Sequence, residues 1–203
     1  MLTPQTHEKE RAQMEKTTLG PQTYLYPKPA FLIGASVNGK PNFMTAACCG
    51  LASTNPPMVS VGLRPGSHTY KGVKENRVFS LNVPSRGLVK ETDHCGIVSG
   101  ATEDKTVSCR FTVFYGQLKD VPLIKECPLN LECSVLHELS LGSHILLIGR
   151  IEETHVSEDC LTDGKPDVCK IEPIVYCGGA EKAYHAIGDM LAQAFSIGME
   201  IGK

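Results

Sequence analysis

The chain carries no excess of basic residues. Its 20 Lys and Arg face 22 Asp and Glu, for a formal net charge of −2, which argues against a nucleic-acid footprint. It also has no apolar run of membrane-spanning length; "ILLIG" at 145–149 is among the longest, so no membrane association is expected. The opening stretch "MLTPQTHEKERAQMEKTTLG" lacks the apolar region of a signal peptide and predicts a cytoplasmic protein. Neither a G-x-S-x-G elbow nor an H-E-x-x-H helix is present, which removes the hydrolase and metalloprotease signatures. Internal repeats and low-complexity linkers are missing too. With 203 residues, one well-buried domain is the simplest arrangement.

The nine cysteines contain no Cys-x-x-Cys pair. Their number is odd, the chain is not small and no export signal is seen, so a disulfide framework is disfavoured. Irregular spacing also disfavours zinc, and no metal site is expected. Most of these thiols read as small buried hydrophobes.

What is present alternates and turns. "AFLIGASV" (30–37) is apolar, and Asn38-Gly39 is a strong hairpin signal because both positions tolerate positive φ. "PNFMTAAC" (41–48) should return antiparallel. "PPMVSVGLR" (56–64) alternates Val59, Val61 and Leu63 against smaller or polar residues, as a half-buried strand does. A helix is expected over 68–76, a strand over 77–83 and a helix over 87–100. A strand pair is expected over 130–139 and 143–156, a last strand over 172–179 and a closing helix over 180–195. Many short strands with helical insertions predict a mainly β fold, a barrel.

Three stretches carry possible chemistry. "GASVNGKP" (34–41) nearly matches a phosphate loop, but Pro41 replaces the needed hydroxyl and strands, not a helix, surround it. "LRPGSHTYKGV" (63–73) ends a strand, turns at Pro-Gly and places Ser67 at an N-cap position. Helix-start amides, with Arg64, Ser67, His68, Thr69 and Lys71, suit a phosphate; the same residues also fit an ordinary capped surface helix. Residues Ala46 to Gly50 are all small. Such a strand lets a planar ring approach its backbone, and it equally fits a barrel strand thinned by packing. "LASTNPP" (51–57) adds Ser53, Thr54 and Asn55 as polar partners. Among the histidines, His144 opens an apolar strand after a turn and is the one taken to touch a substrate.

The run "YPKPAFLIGASVNGKPNFMTAACCGLASTNPPMVSVGLRPGSHTYKGVKENRVFSLNVPS", followed by "CPLNLECSV", "LGSHILLIGRIEETHV" and "YCGGAEKAYHAIG", resembles the flavin reductase-like family, its flavoredoxins in particular. The resemblance spans about residues 24 to 198. It implies an FMN-binding split β-barrel over 24–203, preceded by an N-terminal arm over 1–23. It implies a homodimer with non-covalent FMN near the subunit interface and NAD(P)H as donor. Carried over, Asn42, Met44, Thr45, Ala46 and Ala47 match the strand beside the flavin ring and ribityl chain. Ser53 and Thr54 match the next contacting turn, and Arg64, Ser67, His68, Thr69 and Lys71 the phosphate segment. Asn82, in "SLNVPS", is carried over as well. "STNPP" stands where an aspartate often precedes the prolines, and Cys48–Cys49 is a local feature with no assigned redox role.

The expected activity is hydride transfer from NAD(P)H to flavin N5 and onward to an acceptor, with His144 or His68 orienting the reactants. Two alternatives stand beside it: a non-enzymatic FMN carrier between redox proteins, and a thiol- or metal-based redox protein.

Overall fold

The computed structural model describes residues 15–201. The expected arm falls mostly outside them; residues 15–27 are exposed and without regular structure. The chain then forms β1 (Lys28–Pro29) and β2 (Phe31–Val37). Asn38 and Gly39 take φ of 52° and 74°, as the hairpin requires, and β3 (Lys40–Ala46) returns antiparallel with Val37 opposite Lys40.

β3 ends at Ala46 rather than Cys48. Ser53 and Thr54, expected in a turn, instead end the edge strand β4 (Cys49–Thr54), paired with β5 (Pro57–Leu63). Val59, Val61 and Leu63 on β5 are buried, as their alternation requires. Next come helix α1 (His68–Asn76), β6 (Val78–Val83), helix α2 (Val89–Ile97) and the single turn α3 (Lys105–Ser108). The long strands β9 (Leu129–Ser140) and β10 (Ile145–Val156) follow the two-residue pair β7 (Val113–Phe114) and β8 (Leu123–Ile124).

Seven strands form one antiparallel sheet in the order β3-β2-β6-β9-β10-β5-β4. Its two edges are consecutive in the chain, so residues 47 and 48 must bridge them. The sheet therefore curls on itself. At that corner the Gly62 amide donates to the Cys48 carbonyl at 2.7 Å, but no ladder joins β3 to β4 or β5 among the described residues. The barrel is closed at a corner and split beyond it. The mainly β class with helical insertions is thus the observed one.

Period-two alternation sends neighbouring residues to opposite faces. Ile33, Val61, Leu63, Phe79, Leu81 and Leu147 fill the barrel, with Tyr70 and Val73 of α1 packed among them. On the outer face Leu32 and Phe43 meet Cys95 of α2, Phe111, Ile124 and Cys127. This second layer decides where α2 sits.

The closing helix over 180–195 does not form. The short pair β11 (Leu161–Thr162) and β12 (Lys165–Pro166) precedes β13 (Ile174–Cys177); residues Ala183–Ala186 make strand β14 against β13, and 187–193 have no regular structure. Tyr184 packs on Tyr176 and donates to Asp93, which fixes the segment as a strand. Met190, Leu191 and Phe195 beyond it are exposed. A helix there would have no buried face, and short helices draw most of their stability from one.

Candidate functional site

A cleft of about 620 Å³ opens between the barrel and the end of α2. Met44, Thr45, Ala46, Ala47 and Cys48 form its floor, with Gly62 and Arg64 at the end of β5. Gly66, Ser67, His68 and Thr69 bring in the start of α1. Cys95 to Gly100 and Lys105 make the opposite wall, and His144 stands at the rim.

The α1 end is built as an anion seat. Ser67 is the N-cap, and its hydroxyl accepts from the Tyr70 amide. The remaining first-turn amides have no intrahelical acceptor, and the helix dipole adds partial positive charge there. Arg64 is exposed beside them. Burial, then the charges of Lys71 and Lys105, hold His68 below its ordinary pKa of 6.5, so its ring is neutral at neutral pH. Its Nδ1 is buried without a hydrogen-bond partner. His68 thus offers the seat a neutral donor or acceptor.

Asn42 lies beneath this seat rather than in it. It is buried, and its Nδ2 donates to Thr69 Oγ1 at 2.7 Å. A Cβ on Gly100 would stand 1.8 Å from Asn42 Oδ1, so the opposite wall rests directly on this amide. Thr45 Oγ1 donates to the Thr92 carbonyl and ties β3 to α2. Lys105 is only 3% exposed; its ammonium donates to the carbonyls of Cys95 (3.2 Å) and Val98 (3.0 Å). Burial lowers its pKa. It closes the C-terminus of α2 with a charge facing the cleft.

Of the residues singled out in the sequence, Met44, Thr45, Ala46, Ala47, Arg64, Ser67, His68, Thr69 and His144 come together here. The others stand elsewhere. Asn82 is fully buried in the core, where Nδ2 donates to the Leu32 carbonyl and Ser80 Oγ, and Oδ1 accepts from the Ile124 amide and Asn130. With both ends of its amide engaged, it has nothing left for a ligand. Ser53 and Thr54 pair with Met58 and Pro57 on the edge strand, and Lys71 points to solvent; none of the three lines the cleft. Cys95, the segment 96–100 and Lys105 line it without having been foreseen. The helix over 87–100 was legible, but nothing local says that its end meets β3.

Burial pushes the Cys49 thiol up to about 12, with neighbouring Cys48 adding to it, so Cys49 stays protonated. Among the described residues His144 Nδ1 has only Ser143 Oγ as partner, at 2.9 Å, and no carboxylate orients it. Among the described residues no group of three or more His, Cys, Asp or Glu is placed to hold a metal, and no helix is long and apolar enough to cross a membrane. The cleft is a groove with the small residues Ala46, Ala47 and Cys48 in its floor and an anion seat at one end.

Residues 23–184 match the family model described as flavin reductase like domain. The chain belongs to that family. Its fold is accordingly the family's split barrel. The flavoredoxin structure from Methanosarcina acetivorans is 40% identical, superposes with a TM-score of 0.86 and covers 91% of this chain and 98% of its own. Flavoredoxin of Desulfovibrio vulgaris (Miyazaki F) is 37% identical, with a TM-score of 0.85 and coverage of 91% and 100%. Among curated proteins, the FMN reductase (NADH) RutF of Escherichia coli K12 is 26% identical over 133 residues, covering 61% of this chain and 77% of RutF. Within this family an electron-transfer role is the general expectation.

Proposed function

We propose that this protein binds FMN non-covalently in the cleft, takes electrons from NAD(P)H and passes them to a second acceptor. The observation that carries the reading is the union, in one groove, of an anion seat with a floor of small residues. Its volume lies within the usual range of cofactor sites, roughly 300–1,000 Å³. The donor set fits a phosphate-bearing planar group, and the unpartnered Nδ1 of His68 awaits a polar neighbour.

When bound, FMN supplies the hydride and electron transfer; the chain binds and orients. Arg64, the Ser67 hydroxyl and the first-turn amides of α1 hold the phosphate, with Lys105 adding positive charge from the other wall. Thr69 is kept in place by Asn42. Met44 to Ala47 leave room for the ring, and His144 at the rim orients the nicotinamide. The reading includes a homodimer acting in the cytoplasm and a redox protein as acceptor. The exposed edge strand β4, with Leu51 66% exposed, supports an assembled state.

A second reading is a non-enzymatic FMN carrier. It is favoured by the 37–40% identity to two proteins named flavoredoxin, and by a His144 with no carboxylate partner. Both readings are tested together. Purified protein should release FMN on denaturation, or bind it on reconstitution; finding neither defeats both. Anaerobic mixing with NADH or NADPH then divides them. Rapid bleaching without another protein marks a reductase, and bleaching only with a partner reductase marks a carrier.

A further inference from the structure

The wall formed by α2 and α3 contains a thiol pair that the reading above does not use. Cys95, in the last turn of α2, is 2% exposed, while Cys109, directly after α3, is half-buried. Their Sγ atoms stand 3.9 Å apart. That is van der Waals contact, and a disulfide needs an approach to about 2.05 Å. Lys105 acts on both thiols, favouring their thiolates against the burial that raises them.

We propose that Cys95 and Cys109 are a reversible dithiol–disulfide pair, oxidised by small disulfides of the glutathione class. Exposure sets the order of attack, since Cys109 is half-buried while Cys95, in the cleft wall, is only 2% exposed and packs beside Leu32, Phe43 and Phe111. The Cys109 thiol gives its proton to solvent, and its thiolate attacks one sulfur of the oxidant. The oxidant's S–S bond breaks, and one glutathione leaves as a thiolate that takes up a proton. The Cys95 thiol then attacks Cys109 Sγ, and its proton passes to the second glutathione as that group leaves. Two protein thiols are oxidised to one disulfide, and one small disulfide is reduced to two thiols.

The consequence falls on the cleft. The new bond closes the loop from Cys95 to Cys109, which carries Gly96 to Gly100 and Lys105 of the wall. The wall would then be fixed covalently at both ends, whatever the cleft holds. The proposal is independent of the flavin reading.

The test uses the full chain, purified reduced and incubated with glutathione disulfide without denaturant. Free thiols are then alkylated and the peptides mapped. The expected result is a Cys95–Cys109 linked peptide with the mass loss of two hydrogens, reversed by dithiothreitol. In C95A, glutathione should remain trapped on Cys109; in C109S, Cys95 should stay unmodified. The proposal is overturned if both cysteines are recovered alkylated from oxidised protein, or if the disulfides lie on other cysteines. Glutathione collecting on Cys95 in C109S would overturn the order of attack. The map of the unmutated chain decides the main claim even if a variant fails to fold.

Discussion

On one side of the cleft, β3 supplies Met44 to Ala46, Ala47 follows it, and Gly66 and Ser67 lead into α1; on the other, the end of α2 and residues 98–105 lean across from the outer packing layer. The first wall is fixed by sheet ladders and by a helix cap, both of which commit backbone groups. The second is held by the apolar packing of Cys95 on Leu32, Phe43 and Phe111 and by a few hooks: Gly100 against Asn42, the Thr45 hydroxyl on Thr92, and the Lys105 ammonium on two carbonyls. On the proposed reading the first wall holds the phosphate and the second bounds the space left for the ring.

The largest expected effect breaks the first wall at its anion seat. The double change Arg64→Ala and Ser67→Ala should weaken FMN about 100-fold or more, since a hydrogen bond to a charged group is worth roughly 1.5–3 kcal/mol. Riboflavin, which lacks the phosphate, should lose far less. Loss of the Ser67 cap also costs the helix about 1 kcal/mol, so apo stability must be measured beside the flavin titrations. Equal losses for both flavins would show that this wall does not hold the phosphate.

Next in size is a break at the second wall. Gly100→Ala places a methyl on Asn42 Oδ1, which must swing away and release Thr69. Overpacking of this kind costs roughly 1–3 kcal/mol, read as a shift of the urea midpoint. In an Asn42→Ala background the same change should cost much less. If it costs as much there, the amide is not the hook.

The contrast between the walls also explains what could be read in the sequence. Asn38-Gly39, the alternation of Val59, Val61 and Leu63, and the Ser67 cap are signals spanning a few residues, and each sits where expected. β4 escaped because Gly50, Ala52 and Ser53 have little strand preference; pairing with β5 decides it. The helix foreseen over 180–195 has a helical pattern but no surface to bury it on. Lys105, in "EDKTV", looks like any solvated lysine until α2 ends beside it. Asn82 lay inside a matching motif, yet Leu32, Ile124 and Asn130 reach it from three distant segments that no local pattern shows.

A smaller effect uses pH. His68 has its pKa lowered from 6.5 by burial and by two lysines, so the unfolded chain takes up that proton first. Its contribution to apo stability is present above the unfolded value and lost as pH falls below it. Stability should decline between about pH 7.5 and 5.5, and His68→Gln should flatten the decline. The carboxylates held low, such as Glu132 and Asp104, titrate below this window. An unchanged slope in the variant would place the proton uptake elsewhere.

The smallest expected effect is the most discriminating, because it pulls stability and binding apart. Gly96 lies within α2, and a Cβ there would meet Thr45 Cβ at 3.4 Å, an ordinary contact. Alanine is the better helix former by up to about 1 kcal/mol in a helix interior, and less in a last turn such as this. Gly96→Ala should therefore raise apo stability by roughly 0.5 kcal/mol. The same methyl enters the cleft beside Thr45, where a ring seated on β3 needs the space, so FMN affinity should fall about threefold. A more stable chain that binds FMN less well means that both walls touch the cofactor. Higher stability with unchanged affinity would mean that α2 stands clear of the ligand, leaving the first wall to hold it alone. A loss of stability would mean that α2 is already pressed against β3 and has no room to give.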